Sequence, residues 1–250
     1  MEELLIPNAS RHNVVSFNIT VNDAAINSAY QILAIVVNQE INRVPSAKII
    51  IRDGEAAQRT FDISNSDDFV PGKKINIKMG RDGTNEQIFK GLITRHAIKV
   101  KENGNSELHV ECKDESVKMT IGRKNRYFEN VKDSQVFDEL VGGYAGLTSD
   151  SETTSLIHKE LVQHHVSDWD FMLLRAEANG MLVIVNDGIV KVAKPDSTSE
   201  PVVQVTYGSS VLEFEAELDA RTQWKNVESR SWDYTNQTLF RADSSATSFN

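Results

Sequence analysis

Three groups of side chains in this chain have types and spacings that could do chemistry. His158, His164 and His165 form the densest group of imidazoles. A metal would need those rings to converge with a carboxylate or thiolate on one centre. Neighbouring residues of a strand point to opposite faces, so His164 and His165 do not readily chelate together. No Asp, Glu or Cys stands at ligand spacing to finish a site, and a structural role is the better reading. Cys112 ends an alternating strand without an identifiable histidine partner, as expected of a buried, inert thiol rather than a nucleophile. Glu213, Glu215, Glu217 and Asp219 alternate with Phe214, Ala216 and Leu218. Such a row could suggest calcium binding or acid–base work, but hydrolytic carboxylate pairs come from separate elements that fix their distance. A solvated or subunit-facing acidic stripe is expected. If it lined a channel, it would repel acidic cargo and nucleic acid.

Motifs with a built-in mechanism are missing. There is no glycine-rich phosphate loop, G-x-S-x-G elbow, H-E-x-x-H helix or C-x-x-C pair. No catalytic, cofactor-binding or metal-ligating residue is therefore assigned; the expectation is a protein that is not an enzyme and needs no cofactor. The aromatic group Trp224, Trp232 and Tyr234 could stack on carbohydrate, but its spacing fits late strands of a barrel better. A net charge of −9 over 250 residues argues against general nucleic-acid binding and against anionic membranes. No apolar run approaches the roughly 20 residues of a membrane helix. The N-terminus, MEELLIPNAS, lacks the basic and apolar regions of a secretory signal. A single cysteine excludes an intrachain disulfide and fits folding in a reducing compartment.

Strands dominate the elements that must position these residues. Val14–Val21 alternates, and Tyr30–Ile41 and Pro45–Arg52 are apolar strand candidates closed by Asp53-Gly54. Lys73–Met79 places Ile75, Ile77 and Met79 on one face. Gln87–Val100 is a long strand with Gly91 as a bulge or barrel bend. Asn103-Gly104 signals a hairpin, and Ser106–Cys112 returns antiparallel. This run of short strands predicts a small barrel or sandwich over residues 1–115. Helical spacing then appears at Ser134–Val141, Gly146–Ser155 reads as a loop, and His158–His165 as extended chain. After Gly180 come strands at Met181–Asn186, Ile189–Ala193, Val202–Val205 and Glu213–Leu218, with Thr222–Trp232 as one more. The chain closes on RADSSATSFN, a polar tail without a core element, expected of a disordered end or of a piece of a longer protein.

The clearest helix lies within Val162–Gly180. Ser167 is placed as an N-cap with Asp170 as its capping-box partner, and Asp168 and Asp170 suit the positive end of the helix dipole. Trp169, Met172, Leu173 and Ala176 form one apolar stripe. Asn179-Gly180 ends the helix, with Gly180 in the left-handed position.

These motifs together resemble a known family. Phe89-Lys90-Gly91-Leu92-Ile93-Thr94, then LHVECKDESVKMTIGRKNRYFENV with Asn125-Arg126-Tyr127-Phe128, Ser134–Val141, and the block from Gln163 to Gly180 resemble the N-terminal hub region of VgrG-like spike proteins. That family belongs to type VI secretion and other contractile injection systems and is similar to myophage baseplate hub proteins. Departures are Met181–Val185, which lacks the usual Tyr or Phe, and His164-His165 where a tyrosine and another residue are usual. The resemblance implies a mainly β, α+β, phage tail hub-like fold: two small β-barrels, residues 1–115 and an incomplete 181–250, joined by a helical linker at 116–180. It implies a homotrimeric structural hub that adapts a hexameric, Hcp-like tube to a trimeric spike or tip and helps deliver effectors. A baseplate hub of a phage-like particle is the alternative, and a carbohydrate-binding module a remoter one. Such a protein would assemble in the bacterial cytoplasm and leave with the machine, without inserting in a membrane or binding nucleic acid.

Overall fold

The computed structural model describes residues 14–54, 59–100, 106–196, 198, 200–201, 203–211, 213–217, 219, 221 and 226–245. Among them the chain is mainly β with a few short helices, the class expected. It divides at Pro201 into two compact units.

In the first unit, β1 (Val15–Val21), β2 (Ala24–Ala25), β3 (Ile32–Asn38), β4 (Ser46–Arg52), β5 (Lys74–Arg81), β6 (Thr84–Val100) and β7 (Ser106–Lys113) form one antiparallel sheet. The strand order is β2-β1-β5-β6-β7-β4-β3. Laid flat, its outer strands would stand about 29 Å apart at six spacings of about 4.8 Å. The seven Cα steps from Ala25 to Ile32 reach at most about 24 Å. The sheet must therefore curl, although β2 and β3 are not hydrogen-bonded to each other. Ile19, Ile49, Ile51, Ile75, Ile77, Leu108 and Val110 fill its inner face around Phe69 and Phe89. Phe69 arrives on a loop fastened by buried Asp53, whose carboxylate accepts from the amides of Ile63 (3.1 Å) and Ser64 (2.8 Å).

Gly91 is not itself the expected bulge. The register of β6 slips between Phe89 and Gln87 against β5, and between Ile93 and Arg95 against β7, on either side of it. Gly91 instead permits a close approach: a Cβ there would lie 2.2 Å from the Lys113 carbonyl oxygen. The expected Asn103-Gly104 hairpin turn lies outside the described residues.

Further along the same unit come a 3₁₀ turn at Glu115–Thr120, β8 (Lys124–Lys132), α1 (Asp133–Gly142), β9 (Thr148–Ser151), β10 (Ile157–Val166), α2 (Asp168–Ala178), β11 (Leu182–Asn186) and β12 (Ile189–Ala193). β8 and β10 form a two-stranded ribbon, and β11, β12 and β9 a three-stranded mixed sheet. The expected loop Gly146–Ser155 thus contains a strand. Thr148-Ser149-Asp150-Ser151 has no apolar alternation to announce it; β9 exists because it pairs in parallel with β12. The hydroxyls of Ser149 and Ser151 also donate to Asp138 of α1, at 2.6 and 2.7 Å. Phe137, Leu140, Trp169, Met172, Val183, Val190 and Val192 share the core of this region.

α2 begins and ends as its residues dictate. The Ser167 hydroxyl accepts from the Asp170 amide (3.1 Å), while Asp170 accepts from that hydroxyl (2.6 Å) instead of reaching the Ser167 backbone. At the far end Met181 N–H bonds Ala176 C=O and Gly180 N–H bonds Glu177 C=O, with Gly180 at φ +65°. That is a Schellman closure. The stripe is buried as expected at Trp169, Met172 and Ala176, and Phe171 joins it by stacking on Phe128 with centroids 6.1 Å apart.

Two contacts stitch the large sheet to this region. In the β3–β4 turn, Asn42 exchanges bonds with Val183 of β11, amide to carbonyl and side chain to amide, both 2.8 Å. Buried Asp114, just past β7, accepts from Ser116 N–H (2.8 Å) and from Gly188 N–H (2.9 Å) in the β11–β12 turn.

In the second unit, β13 (Asn226–Asp233) and β14 (Thr238–Ser245) form an antiparallel hairpin. Two expectations fail here. Among the described residues Val203 makes no more than an isolated β-bridge and Glu213–Glu217 belongs to no strand, because alternation supplies a face but does not supply a neighbouring ladder. Conversely, Arg241–Ser245 of the expected polar tail is the second half of β14. The Thr222–Lys225 part of the last expected strand lies outside the described residues.

Candidate functional site

The structure disperses the sequence candidates. His164 and His165 both face solvent, because a bulge between Gln163 and Val166 puts His165 at φ +48° and breaks the alternation. His158 turns inward to Asp133. Among the described residues no group of three His, Cys, Asp or Glu side chains converges to hold a metal ion. Cys112 is buried, and that burial, with the nearby Glu111 charge, pushes its thiol up to about 12. Glu213, Glu215 and Glu217 are exposed on unpaired chain, and Asp219 is engaged by Arg221. Trp224 lies outside the described residues; Trp232 and Tyr234 are exposed.

Two buried carboxylates organise the α1–α2 region instead: Asp168, expected only to suit the helix dipole, and Asp133, which no sequence pattern singled out. Asp133, at the start of α1, accepts from Arg175 Nε (2.6 Å) and Nη2 (3.0 Å) and from Asn179 Nδ2 (2.9 Å). His158 Nε2 lies 2.9 Å from the same carboxylate. Burial alone would raise this carboxyl, but the bonds from Arg175, Asn179 and His158 and the Arg175 charge outweigh it and hold it at about 2. Asp168, at the start of α2, is fully buried. It accepts from Gln163 Nε2 (2.8 Å), Lys124 Nζ (2.7 Å) and the Tyr144 hydroxyl (2.6 Å), with Arg126 at 3.3 Å. Again burial works upward, and Gln163, Lys124, Tyr144 and the Arg126 charge bring the carboxyl below its usual value. The Lys124 ammonium also lies 4.7 Å from the centre of the Tyr144 ring.

Both carboxylates are ionised and surrounded by donors, so neither is a free general base. What they do is mechanical: Asp133 ties α1, α2 and β10, and Asp168 ties α2 to β8, β10 and the α1–β9 loop. A sequence signal existed for the second. Lys124, Arg126 and Phe128 alternate on one face of β8, and two cations on a core-facing side require a buried anion. For Asp133 the partner Arg175 is 42 residues away, and no local pattern announces it.

Surface, not cleft, is the functional feature that remains. No described residue from Pro201 onward is buried. Tyr207, Phe214, Tyr234 and Phe240 there are 95%, 77%, 85% and 61% exposed. Among the described residues the strands of this unit form one two-stranded hairpin. On the β8–β10 ribbon, Tyr127 and Val162 stand opposite each other and both face outward. No helix of the described residues is long and apolar enough to cross a membrane.

Comparison with known proteins agrees with this layout. No curated protein matches the sequence. The fold is similar to a 43 kDa tail protein of prophage MuSo2 from Shewanella oneidensis: TM-score 0.68, 11% identity, 93% of this chain and 69% of that one. A tail protein from Neisseria meningitidis MC58 gives TM-score 0.65 at 11% identity, covering 94% of this chain and 69% of that one. The E. coli c3393 protein, a type VI secretion component similar in structure to the T4 tail proteins gp27 and gp5, gives TM-score 0.54 at 10% identity, over 87% and 56%. The resemblance to VgrG-like hubs therefore holds at the level of fold, which is phage tail hub-like. Residues 11–250 match the family described as the Alg8 N-terminal domain, and the chain belongs to that family.

Proposed function

We propose that the chain is a structural hub of a contractile tail or injection machine, a homotrimer that adapts a hexameric tube to a trimeric spike and helps to carry effectors. The observation that carries this reading is the likeness to tail proteins over more than nine-tenths of the chain. The apolar side chains left uncovered from Pro201 onward support assembly, because an uncovered set of this kind is stable only against a partner. A ring of copies supplies that partner and also hides sheet edges. Its partners in this reading are further copies of itself, the tube protein, the spike or tip, and effectors; it is positional rather than catalytic. It assembles in the bacterial cytoplasm and leaves with the machine. A phage-tail-like particle is the version favoured by the higher TM-scores, 0.68 and 0.65 against 0.54 for the type VI secretion component.

Light scattering on the purified chain over a range of concentrations tests the trimer. The expected result is a trimer, or a trimer in exchange with monomer. A strict monomer at high concentration overturns the trimeric assembly.

A further inference from the structure

Glu213–Glu217 has the sequence of a strand without the pairing of one. In extended chain Glu213, Glu215 and Glu217 fall on one side and Phe214 and Ala216 on the other. All five are exposed, Phe214 by 77%, and none belongs to a ladder among the described residues.

Among the described residues, a matching vacancy lies on the outer edge of β1. There β2 pairs with Thr20 and Val21 and the chain just after it reaches Ile19, leaving Val15–Asn18 without a neighbour on that side. Ile19 turns its carbonyl outward to the Ile26 amide (3.2 Å), so by the period of two Phe17 and Val15 turn their N–H and C=O groups outward as well. β1 carries no charge, and its Val15 and Phe17 side chains are 61% and 44% exposed. Uncharged open edges of this kind are what natural sheets cover. The side groups also match. Phe17 and Ile19 lie on the core side, opposite Met79 and Ile77. On the other side Ser16 and Asn18 adjoin a face where exposed Lys78 lies opposite Asn18, and exposed Lys90 opposite Asn76.

The geometry points to strand addition: Glu213–Glu217 of one copy pairs with the open edge of β1 in a second copy. Phe214 and Ala216 then extend the apolar layer beside Val15 and Phe17. The glutamates stand two strand spacings, roughly 10 Å, from Lys78 of β5, about one Debye length at physiological salt, and one spacing farther from Lys90 of β6. Every copy carries one donor segment and one acceptor edge, so the contact is head-to-tail and can close a ring. This inference rests on the trimeric reading above and names the contact that would build it.

Amide exchange read by mass spectrometry across a concentration series tests it, with Ala216→Pro as the variant, because proline cannot donate to a ladder. Expected is protection of residues 213–217 and 15–18 that rises in step with the trimer. Ala216→Pro should abolish that protection and weaken the trimer about tenfold, the effect of losing one or two such bonds. A trimer in which both segments exchange at solvent rates refutes the pairing and leaves the trimer standing. Protection already complete in the monomer refutes it too, since the segment then closes on its own sheet. A chain monomeric at every concentration refutes the trimeric reading, and this contact with it.

Discussion

Asp133→Asn tests whether the buried carboxylates hold the helical region together. The Asp133 side chain is 1% exposed, against 21% for Arg175 and 17% for His158, so water gives little compensation when the pair is broken. A carboxyl held at about 2, below the ordinary aspartate value, makes its ionised form worth roughly 2 kcal/mol to the fold. Asparagine does more than remove the charge. It turns one acceptor into a donor facing the N–H groups of Arg175 and Asn179, and leaves a guanidinium uncompensated. Breaking one side of a buried pair costs about 3–5 kcal/mol. Urea unfolding at neutral pH should thus show a loss of about 3–4 kcal/mol at unchanged m-value. The pH dependence follows in sign. The folded carboxyl titrates lower than the unfolded one, so its contribution is whole above about pH 4 and fades as pH falls through about 2. The gap between parent and variant should therefore narrow by roughly 2 kcal/mol across that window. Adding Arg175→Met to Asp133→Asn should recover part of the loss, since it removes the stranded cation. A loss under about 1 kcal/mol at neutral pH, or a gap between the two proteins that does not narrow between about pH 5 and pH 2, would refute the reasoning.

Two other substitutions probe packing. Trp169→Ala should cost about 3–5 kcal/mol, the range for a large core aromatic, and should also loosen the trimer; thermal unfolding and light scattering check the two parts separately. Gly91→Ala sets a methyl group 2.2 Å from the Lys113 carbonyl oxygen and 2.9 Å from the Phe89 ring. With backbone on one side and a buried ring on the other, the strain should reach about 3 kcal/mol, and an alanine variant with parental urea midpoint would show that β6 and β7 can part there without cost.

Local patterns revealed the sheet more completely than the site. β1, β4, β5, β6 and β7 follow from alternation, and α2 from its cap, stripe and Asn179-Gly180 stop, because in each the deciding interactions lie within a few residues. β9 was hidden because a polar Thr-Ser-Asp-Ser run becomes a strand only when β12 lies beside it. Glu213–Glu217 erred in the other direction: its alternation is real, but alternation describes the faces of a strand and not its neighbours. The Asp168 node was missed because an acidic residue in a first helical turn already has a sufficient local explanation in the helix dipole, and the Asp133 node because nothing near it in sequence points to Arg175. Only the fold brings Lys124, Arg126 and Tyr144 to Asp168, or Arg175 to Asp133, and makes those aspartates central.

The same contrast bears on what a hub must do. In the proposed role, an adaptor between a tube and a spike transmits force, so its parts should not shear against one another. Between the large sheet and the α1–α2 region, Asn42 is bonded to Val183 at two points and Asp114 to Gly188, while Val44 of the same turn packs into the core that holds Trp169. Trp169 also borders the cleft beneath that turn, together with Asn42 and Lys113. Each bond is modest, about 0.5–1.5 kcal/mol, but the two joints share one body with the core that holds Trp169, so the sheet and the α1–α2 region cannot part without breaking them together. The stripe of α2 is thus better understood as one side of this joint than as the core of a lone helix.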